Sequence, residues 1–350
     1  MNSKLLYVLG YCLLSCTAPK SAQPGQTRTT TTTTAPGEDA TGVPDETLGG
    51  DTQADPETKP NTPATNTPAP APALEAGNLN VQWYAGVANC AQNNQPPIQV
   101  HAYNKNLTIL RQNKCTNFEA PFIHLIFGAQ KALLIDSGAT ASAATFPIRT
   151  MVESLLVEHY GAAQRAQITL VVTHSHAHGD HRAADAQFNG QAGTVVVGTG
   201  QAAVSTFFGI ADFPNSVVDY DLGGRVIKVI PIPGHEASHL AYFDAQTGIL
   251  FTGDTLYPGR LYVQDWETYR ASITRLRTFA EGKTISHVLG AHVEISKTPG
   301  QDFPQGATFQ PDEHVQQLTK DGLILLDNEL KKIGATPTRK VLDKFIITPL

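Results

Sequence analysis

The sequence predicts an α/β sandwich carried behind a non-globular N-terminal arm. Three observations lead there. Short apolar or β-branched runs alternate with helix-periodic stretches from residue 122 to residue 333, a pattern that layers helices on sheets. Hairpin signals open each half of that region. The texture also changes at Trp83, because residues 17–75 hold no aromatic side chain at all. About 275 residues follow position 75, enough for one large domain with a full core.

The elements are read in order. Residues 122–127 and 132–135 are apolar runs split by Gly128-Ala129-Gln130-Lys131, which predicts a hairpin. Residues 147–160 repeat Ile148, Met151, Leu155, Leu156 and His159 at helical spacing. Residues 168–173 and 194–197 read as strands, and a helix follows the second as far as Phe208. Strands are expected at 226–232, 249–252 and 286–289, with a helix over 266–280. A long final helix is expected over 311–333. The apolar tip Phe207-Phe208-Gly209-Ile210, with Phe213-Pro214 beyond, reads equally as a flap over a site or as core packing.

The arm has its own logic. Lys4 precedes an apolar stretch, residues 5–14, followed by Ser15 and Cys16, the layout of a secretory signal over residues 1–15. The run Leu13-Leu14-Ser15-Cys16 resembles the lipobox of bacterial lipoproteins, which implies acylation at Cys16. Thr17, where an Asp would resemble an inner-membrane retention signal, points to the outer membrane. Each buried methylene of such an anchor contributes about 0.8 kcal/mol. Residues 16–75 are expected to be a tether, since 17–75 hold 15 Thr and 10 Pro and only Val43, Leu48 and Leu74 as larger aliphatics. Such a segment cannot bury enough surface to offset its chain entropy, and proline keeps it extended. The domain is expected over 76–350.

Charge narrows the partners. The chain carries 25 Lys+Arg and 31 Asp+Glu, net −6, and residues 76–350 hold 21 and 23 of them. A nearly neutral domain lacks the basic footprint of a nucleic-acid binder, so a small-molecule substrate is expected instead. Two cysteines, Cys90 and Cys115, lie in the domain of this exported chain. A disulfide between them is expected, contributing roughly 3 kcal/mol by closing its loop; two buried free thiols are the alternative.

The strand over 168–173 runs into Thr173-His174-Ser175-His176-Ala177-His178-Gly179-Asp180-His181. Alternate positions of an extended segment point the same way, so His176 and His178 can share one metal ion. A turn at Gly179 can aim Asp180 and His181 at a second. Imidazole with carboxylate suits zinc, and also manganese, iron or cobalt. Three further candidates each follow a strand: His235 in Pro231-Ile232-Pro233-Gly234-His235, Asp254 in Thr252-Gly253-Asp254, and His292 in Gly290-Ala291-His292. Strand-end loops of a layered α/β fold gather on one edge. His174 reads as a strand-end residue, and His239, four after His235, as a packed surface residue, with bracing of a neighbour as the alternative.

The order HxHxDH, His, Asp, His resembles the metal-binding pattern of the metallo-β-lactamase superfamily over roughly residues 120–295, and Asp136 in Ile135-Asp136-Ser137-Gly138 matches its first motif. The resemblance implies a four-layer αββα sandwich and a binuclear hydrolase with two divalent cations, zinc first and manganese or iron as alternatives. His176, His178 and His235 would hold one metal, Asp180, His181 and His292 the other, with Asp254 between them. In such sites the metals sit roughly 3.5–4 Å apart and a shared hydroxide attacks the substrate. Asp180 would also orient that hydroxide, and Asp136 would act by fixing a histidine ligand.

Within the superfamily, Asp254 argues against a dedicated β-lactamase, and Phe251-Thr252-Gly253-Asp254-Thr255-Leu256 resembles glyoxalase II and related thioesterases. Ester, thioester or lactone hydrolysis is therefore expected. β-Lactam or phosphodiester hydrolysis, or a non-catalytic tethered metal-binding protein, are the alternatives. Tyr257, Arg260 and Tyr262 follow the bridging Asp closely and are candidates for substrate contact, Arg260 through a carboxylate and a Tyr through an oxyanion.

Overall fold

The computed structural model describes residues 73–350. The expected signal over 1–15, Cys16 and the tether up to residue 72 lie outside the described residues. Glu75, expected as the last tether position, is already docked: its N–H donates to the Gln246 carbonyl and its carboxylate accepts from Asn106 and Arg225.

The first sheet joins β1 (Ile98–Asn104), β2 (Leu107–Gln112), β3 (Phe122–Phe127), β4 (Lys131–Ile135), β5 (Thr169–Thr173) and β6 (Thr194–Val196) in that spatial order. Strands β1 to β4 pair antiparallel, whereas β4, β5 and β6 are parallel. Helices α1 (Ile148–Tyr160) and α2 (Ala162–Arg165) connect β4 to β5. A short α3 (Gly179–Arg182) follows β5, and α4 (Gln201–Phe208) follows β6.

The second sheet contains β7 (Val218–Asp221), β8 (Val226–Pro231), β9 (Leu240–Asp244), β10 (Ile249–Gly253), β12 (His287–Gly290) and β13 (Gln317–Leu318). Its parallel pair is β10 with β12, connected through α5 (Trp266–Ala280). A third, small sheet sets β11 (Arg260–Val263) beside β15 (Ile346–Pro349) and β14 (Lys340–Val341). Helix α6 (Lys320–Ile333) lies between β13 and β14 in the chain.

Three buried clusters show how the layers stack. Ile109, Leu133 and Val171 of the first sheet meet Val229, Tyr242 and Phe251 of the second in one cluster between the sheets. Their chain neighbours Leu110, Leu134 and Val172 point the other way, against Ile148, Val152 and Leu156 of α1. In the second sheet, Ile230, Ala241 and Leu250 turn outward onto Ile273 and Leu276 of α5 and Leu323 and Leu326 of α6. The result is helix, sheet, sheet, helix. Central strands covered on both faces read as unbroken apolar runs, which is why 122–127 and 168–173 were legible.

The helix expected over 311–333 starts only at Lys320. The preceding residues are held extended by long-range partners. Glu313 accepts from Arg111 (2.6 Å) and Lys114 (2.8 Å) and bridges to Ser296, and His314 N–H donates to Ile295. Strands β1, β2, β7, β9, β11, β14 and β15 carried no readable signal. In β2 the reason is visible: Arg111 and Gln112 look like surface residues, yet both are buried. Phe208 and Ile210 pack into the core between the sheets, so core packing holds for that tip.

Candidate metal centre

Five loops leave the C-terminal ends of strands and meet at one edge. Asp136 follows β4, His174 to His181 follow β5, His235 follows β8, Asp254 follows β10 and His292 follows β12. Two glycines allow the close approach. Gly253, at φ +49°, packs so tightly that a Cβ there would lie 2.5 Å from the Ser175 Cβ and 2.8 Å from the His239 ring. Gly234, at φ +135°, leaves no room beside the Tyr269 backbone. Asp136 itself sits at φ +70°, in the left-handed region that Asp and Asn tolerate better than other side chains.

The seven expected ligands fall into two groups. His176 Nε2, His178 Nδ1 and His235 Nε2 lie 2.9, 3.1 and 3.2 Å from one another. In the second group, His181 Nε2 is 3.2 Å from Asp180 Oδ2 and 3.4 Å from both Asp254 Oδ1 and His292 Nε2. His292 Nε2 completes it at 3.3 Å from Asp180 and 3.4 Å from Asp254. Asp254 spans both: Oδ1 belongs to the second group, and Oδ2 lies 3.7 Å from His235 Nε2.

These spacings suit cations. Four donors at ~2.05 Å around a tetrahedral zinc stand roughly 3.3 Å apart. The tautomers point the same way. A backbone carbonyl only accepts, so His235 Nδ1 donates to Tyr262 (2.7 Å) and His292 Nδ1 donates to Glu119 (2.9 Å). Both Nε2 atoms then present lone pairs to the centre. His181 Nδ1 donates to Asp136 Oδ2 (2.9 Å), which frees its Nε2 likewise. Asp136 is held by the Ser175 N–H (2.7 Å) and hydroxyl (3.0 Å), and that hydroxyl also lies 3.1 Å from His176 Nδ1. Asp254 Oδ1 is buried without a hydrogen-bond partner. Converging lone pairs and an orphaned carboxylate oxygen are costly unless a cation collects them.

The charges tell the same story. Burial pushes the His176 and His235 rings below their ordinary range. Burial also opposes a proton on His292, but Asp254 and Asp180 outweigh it and push the group up to about 10. His181 is driven up against burial by Asp180, Asp254 and Asp136. Asp180 and Asp254 are driven down, against burial, chiefly by His181 and His292 respectively. The acids therefore make the second group a place that favours positive charge, and a cation bound there would compete with protons for the His181 and His292 lone pairs.

The three residues expected to touch substrate separate. Tyr262 lines the site cavity, a space of about 200 Å³. Tyr257 also borders it, but its hydroxyl is committed to the Arg260 carbonyl and to Glu294. Arg260 does not line it. Its guanidinium is held by Glu294 (2.8 Å), Asp302 (3.0 Å) and the Phe303 carbonyl (2.7 Å), so it is a structural cation rather than a free carboxylate receptor. Further residues surround the centre, and for His239 the bracing alternative holds rather than the surface one. His239 is fully buried, not on the surface; it stacks on His176 at 4.7 Å and accepts the Asp254 N–H (3.2 Å). Gln264 lies 3.2 Å from His178 Nε2 and Glu119 lines the cavity. The spacing of His239, four after His235, carried that alternative; Gln264 and Glu119 offered no signal. His174 sits at the strand end as expected, bonded to Asp185 (2.8 Å). Cys90 and Cys115 form a disulfide.

The profile of the metallo-beta-lactamase superfamily matches residues 117–287, the span that contains six of the seven converging residues. Over that span the chain is similar to the metallo-beta-lactamase superfamily. Similar proteins include a hydroxyacylglutathione hydrolase from Rhizobium meliloti (strain 1021), 32% identical over 171 residues, covering 47% of this chain and 64% of the relative. A hydroxyacylglutathione hydrolase from Methylococcus capsulatus is 28% identical over 173 residues, 47% of this chain and 66% of the relative. The chain thus spans just under two thirds of these relatives' length. A solved metallo-beta-lactamase from Pontibacter korlensis aligns at 19% identity and TM-score 0.45, over 67% of this chain and 99% of its own.

Proposed function

We propose that the chain is a binuclear metal-dependent hydrolase acting on an ester, thioester or lactone. The observation that carries this reading is Asp254, whose two oxygens face two separate ligand groups. The similarity to hydroxyacylglutathione hydrolases, which act on a thioester, supports carbonyl substrates over phosphodiesters. His176, His178 and His235 would hold one cation and Asp180, His181 and His292 the other, with Asp254 shared. Bound there, two divalent cations would acidify water and polarise the scissile carbonyl.

The chain's own residues supply the rest. Asp136 and Ser175 set the tautomers of His181 and His176. Asp180 is the more exposed of the two clustered carboxylates, 23% against 9% for Asp254, and accepts the proton of the attacking water. Tyr262, at the cavity wall, donates to the developing oxyanion. We also propose export, which the disulfide supports because such bonds persist in oxidising compartments, and lipid anchoring through Cys16, with the residues between Cys16 and the docked Glu75 as tether.

The test is metal content by plasma mass spectrometry together with a hydrolysis panel of thioesters, lactones, esters, β-lactams and phosphodiesters. Two metals per chain and one carbonyl class turned over, lost in Asp254→Ala, is the expected result. Failure to retain zinc or manganese would move the reading to a tethered binding protein.

A further inference from the structure

A second cavity adjoins the one at the proposed centre. Gln264 borders both, and the neighbouring space of about 520 Å³ runs past Gly234 and Glu236 to Phe213, Pro214 and Asp265. The non-reacting part of a substrate has this groove available. Among the described residues, no Lys or Arg lines either space. The acids divide by engagement. Glu294 is neutralised by Arg260, which holds Oε1 at 2.8 Å while the Arg260 N–H holds Oε2 at 2.8 Å. Glu236 accepts from the Ser238 N–H and hydroxyl, and Asp265 caps α5 through the Thr268 N–H.

Glu119 differs from these. Its backbone is fixed on both sides: the N–H donates to Asn117 Oδ1 (3.0 Å) and the carbonyl accepts from His292 Nδ1 (2.9 Å). The disulfide at Cys115 ties down the same loop. Glu119 is half-buried and lines the cavity, and its carboxylate has no hydrogen-bond or ion-pair partner among the described residues.

We infer that Glu119 selects a substrate bearing a positive charge beside its scissile carbonyl, and that the groove discriminates against anionic conjugates. The inference deepens the hydrolase reading and rests on it. It sets this chain apart from relatives named for a glutathione thioester, because glutathione carries net negative charge and, the proposed metal ions aside, neither cavity offers a Lys or Arg to receive its carboxylates. One charge facing its opposite at ~6 Å in a half-solvated cavity changes affinity about tenfold.

The test uses three non-hydrolysable ketone analogues, with methylene in place of the thioester sulfur. They are identical except for a trimethylammonium, a tert-butyl or a carboxylate end. Binding to the metal-loaded full chain is measured by calorimetry. The trimethylammonium analogue should bind about tenfold tighter than its tert-butyl isostere, with the carboxylate weakest. Glu119→Gln should bring the first two within about twofold. Equal binding of cation and isostere, tightest binding of the carboxylate, an unchanged preference in Glu119→Gln, or no saturable binding of any analogue would each overturn the inference. Turnover of the matching thioesters is read separately. The expected binding order without hydrolysis supports the charge preference and sinks the hydrolase reading, whereas hydrolysis without that order does the reverse.

Discussion

Replacing Asp136 by Asn tests the wiring of the centre with the smallest change in shape. The amide fits the site, and Asn tolerates the left-handed backbone at φ +70°. One oxygen can still accept the Ser175 N–H, now 2.7 Å away. The amide nitrogen then occupies the position 2.9 Å from His181 Nδ1, so a donor faces a donor. His181 escapes by moving its proton to Nε2, the atom that points at Asp180, Asp254 and His292. That removes one lone pair from the second group. Loss of a partner behind a ligating histidine costs about 10–100-fold in metal affinity, or about 1.4–2.8 kcal/mol. The His176 group is reached only through the Ser175 hydroxyl and should weaken less. Chelator competition on the apo protein, resolving two binding steps, is the assay. Two steps at wild-type affinity would refute the reasoning. Equal loss of both with a lowered Tm would show that Asp136 supports the fold rather than His181.

Two further outcomes follow from the same geometry. Arg260→Met should lower stability by about 2–3 kcal/mol in urea unfolding, because it strands Glu294, whose side chain is only 15% exposed; an unchanged midpoint with a selective rise in KM for carboxylate substrates would restore Arg260 as a substrate receptor. His124 is fully buried against Phe251, and burial depresses it to about 4 from an ordinary 6.5. The unfolded chain takes up that proton first, so stability is intact above pH 6.5 and falls as pH drops toward 4, by about 3 kcal/mol for this group. His124→Phe should lose that much less than wild type between pH 7 and pH 4, and parallel losses in the two proteins would contradict it.

The sequence by itself determined what depends on local pattern. Doubly covered strands announce themselves as apolar runs, so β3, β4, β5 and β10 and the helices α1 and α5 were readable where they stand. The ligand candidates were readable because each lies just past a strand end in a loop short enough to hold its direction. Everything decided by partners far away in the chain required the tertiary structure. The 311–319 segment looked helical, yet Glu313 is drawn out of that conformation by Arg111, 202 residues away. Arg260 looked like a receptor because its spacing from Asp254 says nothing about Glu294, and His239 looked like surface because its burial depends on a stack with a ring from another loop. Glu119 carries no motif; its place at the cavity exists only because its carbonyl anchors His292, 173 positions on. Local propensity acts over a few residues, whereas burial and charge pairing act through space, and only the folded chain states which distant groups share that space.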